Sequence, residues 1–236
     1  MSRTDKTSFI DYKFLHLFGV EMIFTDIKNY QNLIETFLHD EKKKFEDGFS
    51  NESIEEESKK AGEHHNEYYE HLLNSYIDRH RELADVFPNN FRAFLLTQVI
   101  SVIESELKKI CNHYGVNNNQ KFDVDDLAGS NDLEKCKTYL KTISNVDFGK
   151  FNTEWLFIKK CKIIRNKIVH SDSKVKLTDE IMSFIKSNSS ISYEEPKYLP
   201  EDTIQFQIIN KDLADELIKK GQDFFIKLLE ELKYSS

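Results

Sequence analysis

The chain has 236 residues and a formal net charge of −8, with 39% hydrophobic and 31% charged residues, only three prolines and seven glycines. Such a chain is long enough to bury a real core, and so few helix breakers point to an all-α fold, while the acidic balance argues against a general nucleic-acid binder. No run approaches the roughly 18 apolar residues that span a bilayer, and the start MSRTDKTSF lacks an apolar signal core, so a cytoplasmic protein with no membrane association is expected.

Residues 9–47 carry apolar side chains at helical spacing, among them Phe14, Leu17, Phe18, Ile23, Ile27, Leu33, Ile34, Phe37 and Leu38. Gly19 and Thr25 are soft spots, so this is either one long helix or two shorter ones. Gly48 suits a helix end, and Ser50 to Ser53 offer a cap for a second helix over 54–87. That helix is too polar in its first half to lie in a core, and its paired His64 and His65 read as a solvated face, since they point in different directions. Pro88 is expected to end it, with Asn89 or Asn90 capping the next. Residues 1–86 thus read as an N-terminal helical extension to a helical bundle over 87–236.

The third helix, 91–114, is the most apolar. Leu96, Val99, Ile100, Ile103, Leu107 and Ile110 form a continuous stripe that marks the central helix of a bundle. Glu104 and Glu106 flank the stripe, and an acid there needs a partner. Glu104 reads either as half of such a pair or as a surface acid four residues before Lys108. Gly115 is expected to close the helix. The polar loop that follows holds Asp123, Asp125 and Asp126, but the Gly and terminal Glu of a calcium loop are missing from the required spacing. Residues 133–143 form a short amphipathic helix.

Residues 151–172, FNTEWLFIKKCKIIRNKIVHSD, read as one helix capped by Asn152 or Thr153, with Glu154 in the first turn. Asn166 and His170 are i,i+4 neighbours, whereas Arg165 lies about 140° around the axis from His170. Arg165 must reach round, or meet a His170 from another chain. Beyond it, Thr178 is expected to cap a helix to 186, and 191–193 and 203–209 suggest a small β-hairpin near residues 191–209. Residues 212–234 form a final amphipathic helix with Leu213, Leu217, Phe224, Phe225, Leu228, Leu229 and Leu232 facing inwards.

Cys111, Cys136 and Cys161 are odd in number and lack His or Cys neighbours at metal-ligand spacing, so they read as buried reduced thiols, and neither a metal nor a cofactor is expected. Between residues 131 and 176 lie eleven basic residues against five acidic ones, a local excess of about +6. This segment, with Lys159, Lys162 and Lys167 on the motif helix, is either a surface that attracts a phosphate backbone or a lysine-coated solvated face.

The spelling Arg165-Asn166-x-x-x-His170 at the end of an amphipathic helix resembles the R-x4-6-H motif of the HEPN superfamily, in which a polar residue often follows the Arg. The resemblance covers roughly residues 87–172 with the C-terminal helix included, and implies a HEPN-like up-and-down bundle. VISVIESELKKIC looks like the helix that faces the motif helix in that family, where a Glu recurs three residues before a Leu; the match is Glu104 before Leu107, which the resemblance makes the acid that positions Arg165.

Active members of that family are metal-independent endoribonucleases that pair two motif helices across a homodimer. The resemblance therefore implies RNA cleavage through 2′-hydroxyl attack by a toxin or phage-defence effector, partnered by an antitoxin or defence-system protein. His170 would be general base or acid, since its ordinary pKa lies near 6.5. Arg165 would clamp the phosphate through its planar fork, and Asn166 would orient phosphate or imidazole. In a toxin branch the His is followed by x-Tyr, the target of a nucleotidyltransferase partner; Ser171 and Asp172 stand here, so that neutralisation is not expected. The competing readings are a non-catalytic helical module that binds RNA, a nucleotide or a protein through the same groove, and a scaffold whose N-terminal helices do the work.

Overall fold

Residues 12–47 form one unbroken helix, α1 (Tyr12–Asp47), in a computed structural model that describes residues 12–60, 62–129 and 131–232. The expected start of this helix at residues 9–11 lies outside them, as do MSRTDKTSF and the last two residues of the expected helix over 212–234. Gly19 does not break α1, because one helical Gly costs only about 1 kcal/mol and Val20 and Phe24 beside it are buried. The Ser50 side chain accepts from Ser53 N at 3.0 Å and caps α2 (Asn51–Lys59), as its sequence suggests.

The single helix expected over 54–87 is interrupted. After α2 the chain turns through Gly62 at φ +59°, a left-handed conformation that favours glycine, and restarts as α3 (His65–Arg81). Glu82–Val86 then adopts a wider π-turn that runs straight into α4 (Phe87–Asn117). Pro88 therefore starts a helix instead of ending one, since a first-turn residue needs no backbone N–H. Gly115 also stays inside α4. A Cβ there would collide with the Tyr139 hydroxyl, so this Gly serves packing, and Asn119 at φ +52° follows the helix end.

Next come α5 (Asp132–Ser144), α6 (Asn152–Ser171), β1 (Lys174–Lys176), α7 (Met182–Ser187), β2 (Ile191–Glu194), β3 (Thr203–Ile208) and α8 (Asp212–Glu231). The expected hairpin is a three-stranded antiparallel sheet in the order β1-β3-β2, with Val175 opposite Ile204 and Tyr193 opposite Phe206. Thr178 caps nothing, because α7 begins four residues later. The described chain is thus mostly helical with a small sheet, and none of its helices is long and apolar enough to cross a membrane.

By internal contacts the chain divides into two units. The first holds residues up to Ile27, Leu96–Asn166 and residues from Ala214 on; the second holds Lys28–Leu95 and Lys167–Leu213. The expected N-terminal extension is therefore shared between them. The core of the first unit is the α4 stripe, where Leu96, Val99, Ile100, Ile103, Leu107 and Ile110 are fully buried. An aromatic cluster of Phe148, Phe151, Trp155, Phe224 and Phe225 adds to it, with ring centroids 4.9–6.4 Å apart. The three cysteines are free and buried there, and burial pushes the Cys111 and Cys161 thiols up, away from reactivity. The second unit buries Ile204, Phe206 and Ile208 from alternate positions of β3. Within it the Arg92 guanidinium grips both oxygens of Glu35 at 2.7 Å and donates to the Ile209 carbonyl, tying α1 to α4 and to the chain after β3.

Two contacts of the first unit can be tested by stability. Tyr139 is buried and its hydroxyl donates to the Phe122 carbonyl at 3.1 Å, so it has no room to yield. Gly115→Ala should cost about 1–3 kcal/mol in chemical denaturation, an overpacking penalty. Buried His16 meets His113, ring nitrogen to ring nitrogen, at 2.9 Å, an arrangement that needs an N–H on one ring and a lone pair on the other. Burial, then the neighbouring His113, hold the His16 pKa below the usual 6.5, with Glu106 opposing and Lys109 assisting. The unfolded chain then binds this proton more readily than the fold, so the contribution is complete above pH 6.5 and lost below it. The denaturation midpoint should fall between pH 7.5 and pH 5.5, and should fall less in His16→Leu.

Candidate functional site

The motif helix is set by a turn before it. Asp147 Oδ1 accepts from Gly149 N at 2.8 Å and caps a 3₁₀ turn over Phe148–Phe151, which winds directly into α6. The cap is thus Asp147, not Asn152 or Thr153. Glu154, Trp155, Ile158, Cys161 and Ile164 are buried, which fixes the rotation of α6 about its axis. Leu156 and Ile163, at 46% and 40% exposure, lie on the opposite side.

That rotation places the motif residues differently. At about 100° per residue Arg165 falls on the buried side, whereas His170 falls in line with Leu156 and Ile163 at seven-residue spacing. Arg165 is accordingly half-buried and His170 exposed. The Arg165 Nη1 donates to Asn166 Oδ1 at 2.9 Å, and Nε is buried with no hydrogen-bond partner. The bond to Arg165 occupies the Asn166 carbonyl and leaves its amide N–H groups for another acceptor.

The lysines expected to contact RNA are all matched by acids. Lys159 Nζ lies 2.7 Å from Glu134, Lys162 pairs with Glu104 and donates to Asn131 Oδ1 at 2.9 Å, and Lys167 lies 2.7 Å from Asp179. The Lys167 hydrogen bond holds the Asp179 carboxyl below the usual carboxylate range. Glu104 therefore sits on Lys162, where it was expected on Arg165, and Glu106 pairs with Lys109. The Lys162 and Glu104 side chains are only 13% and 16% exposed, too enclosed to offer a phosphate a free cation. Of Lys159, Lys162, Arg165 and Lys167, only Arg165 lacks a carboxylate partner among the described residues.

Two features here were not foreseen. Asp172 and Ser173 follow α6 at φ +52° and +58°, and Ser173 N donates back to the Lys167 carbonyl at 3.0 Å, closing the helix. Asp and Ser after a helical run were the available signal. Gln205 Nε2 then donates to the Asp172 carbonyl at 3.2 Å. Second, a cleft of about 200 Å³ in the second unit is lined by Asn89, Asn90, Asp172, Gln205 and Gln207 among others, without a basic side chain. With Asp85 beside Asp172 it offers amides and two carboxylates, not a cradle for phosphate.

The chain matches no protein-family model, no curated protein and no solved structure.

Removing the Glu104 charge isolates its role. Glu104→Gln leaves the enclosed Lys162 ammonium without its counter-ion and should cost about 1.5–3 kcal/mol in urea denaturation. A change below about 0.5 kcal/mol, within the range of ordinary surface substitutions, would mean that the pair is incidental.

Proposed function

We propose that the protein is a HEPN-like, metal-independent endoribonuclease acting as a homodimer, with Arg165, Asn166 and His170 as its working residues. The observation that carries this reading is the state of Arg165. In a helix whose Lys159, Lys162 and Lys167 are neutralised, Arg165 is held half-buried against Asn166 with no carboxylate paired to it among the described residues. A cation kept unpaired and partly desolvated is suited to an anion that arrives from outside, and a guanidinium matches two phosphate oxygens.

His170 supplies the other half. Removing the 2′-hydroxyl proton makes that oxygen the nucleophile; it bonds to phosphorus as the bond to the 5′-oxygen breaks, and the leaving oxygen takes up a proton. An imidazole can accept the first proton or donate the second. The products are a 2′,3′-cyclic phosphate and a 5′-hydroxyl. Since Arg165 and His170 point about 140° apart on one helix, a second motif helix brings a complementary pair, and the exposed Leu156 and Ile163 on the His170 side are an apolar seam for it. Glu104 would join Arg165, and Lys159, Lys162 and Lys167 the RNA, only by leaving their present partners.

The neutralised lysines favour a second reading, in which the same helix is a non-catalytic module that binds RNA, a nucleotide or a protein partner. Cleavage separates the two. Incubated with RNA in EDTA, the protein should release cyclic-phosphate ends, with losses of about 10²–10⁴-fold in His170→Ala and about 10²–10³-fold in Arg165→Ala. Activity that vanishes on chelation, or that survives His170→Ala, would overturn the nuclease; RNA binding without cleavage would favour the module.

A further inference from the structure

The first helix has two apolar faces. His16, Val20, Phe24 and Gln31 are buried and occupy an arc of about 80° around α1. On the other side Leu15, Phe18, Met22, Tyr30, Leu33 and Phe37 remain 48–66% exposed. A helix that is apolar on both sides is normally covered on both. Six large side chains at such exposure leave on the order of 700 Å² in the open, above the largest apolar patch of a typical monomer and close to one partner's share of a standard protein interface.

We infer that α1 is a self-pairing arm, on which a second copy of this chain packs its own α1 antiparallel. The stripe is nearly symmetric about a point between Thr25 and Asp26. With the two-fold axis there, Leu15 meets Phe37, Phe18 meets Leu33 and Met22 meets Tyr30, each residue pairing with a different residue of the copy, as an isologous contact requires. The polar break formed by Thr25, Asp26 and Asn29 falls at the axis, where Thr25 of each copy stands opposite Asp26 of the other and its hydroxyl can donate to that carboxylate.

Charge selects the direction. Asp40 is exposed on the same side as the stripe near the C-terminal end of α1, and a parallel pair would set it against its own copy. The antiparallel pair separates the two Asp40 carboxylates by the length of the contact. It carries each towards the N-terminal end of the partner's α1, where the helix dipole favours an anion, and it also opposes the two dipoles. A different class of partner has less support, because only a second copy is bound to match a pattern that is its own mirror. Pairing through α1 does not depend on RNA cleavage.

The test is the mass of the full chain in solution at micromolar concentration. The wild-type protein should have twice the mass of the Phe18→Glu, Leu33→Glu double variant, whose substitutions fall on exposed positions and should leave the circular dichroism unchanged. Arg165→Ala with His170→Ala should keep the wild-type mass, which separates this interface from the motif helix. Direction is read by cysteine pairs: a mixture of Leu15→Cys and Phe37→Cys chains should cross-link on oxidation. Phe18→Cys alone should not, because antiparallel arms hold its two copies about 22 Å apart along the axis. Equal masses for wild type and double variant overturn the arm, and cross-linking of Phe18→Cys without the mixed pair overturns its direction.

Discussion

The burial of Trp155, Ile158, Cys161 and Ile164 is the constraint that the rest of the motif obeys. A helix has one rotational freedom once its axis is placed, and four side chains fixed in a close-packed core remove it. Every later residue of α6 is then assigned to a side. Arg165 is carried towards the core and loses water from its Nε, and His170 is carried out into solvent. Little more than one helix turn separates them in sequence, but the rotation sends their side chains apart. For a phosphate to meet both groups, Arg165 would have to reach round the helix, or the α6 helix of a second chain would have to supply one of the two.

Electrostatics sharpen this division. An excess of about six positive charges over residues 131–176 looks like a field for a phosphate backbone, but counting charges ignores pairing. Lys159, Lys162 and Lys167 each have a carboxylate within ion-pair distance, so much of the far field cancels locally. Such pairs add modestly to stability where they are exposed, and removing one partner costs more where, as with Lys162 and Glu104, both are enclosed. Arg165 stands out through what is missing beside it, a property of the fold that no composition reveals.

What could be read from the sequence follows the same line. Strong periodic patterns were legible: the α4 stripe, the inward face of α8, the alternation of β3 and the burial of three cysteines all depend on a residue's own side of its own element. Breaks were read less well, because a breaker has two meanings that only packing separates. Gly115 looked like a stop and is a space for Tyr139; Pro88 looked like a stop and is a start. The short strand β1 carries only three residues and exists because β3 offers it an edge. Partners were read worst. Glu104 was legible as an acid that needs a cation, but which cation depends on the rotation of α6, and that rotation puts Lys162 in reach.

The exposed face of α1 and the exposed face of α6 pose one physical question twice. Large apolar side chains on a helix surface lose free energy to water unless something covers them, at roughly 25 cal/mol per Å². On the His170 side of α6 the uncovered apolar residues are few, Leu156 and Ile163, a seam too narrow to hold two chains together unaided. On α1 they extend from Leu15 to Phe37, with one polar break. A strong contact through α1 would raise the effective concentration of a second motif helix, so that the weaker seam on α6 need supply only orientation. The face of α6 that carries His170 would then be free to remain polar and open, because the association energy resides elsewhere. Such a division of labour fits a helix whose outward side mixes two aliphatic residues with a histidine, an arrangement too wet for an obligate interface and too apolar for a surface meant to stay alone.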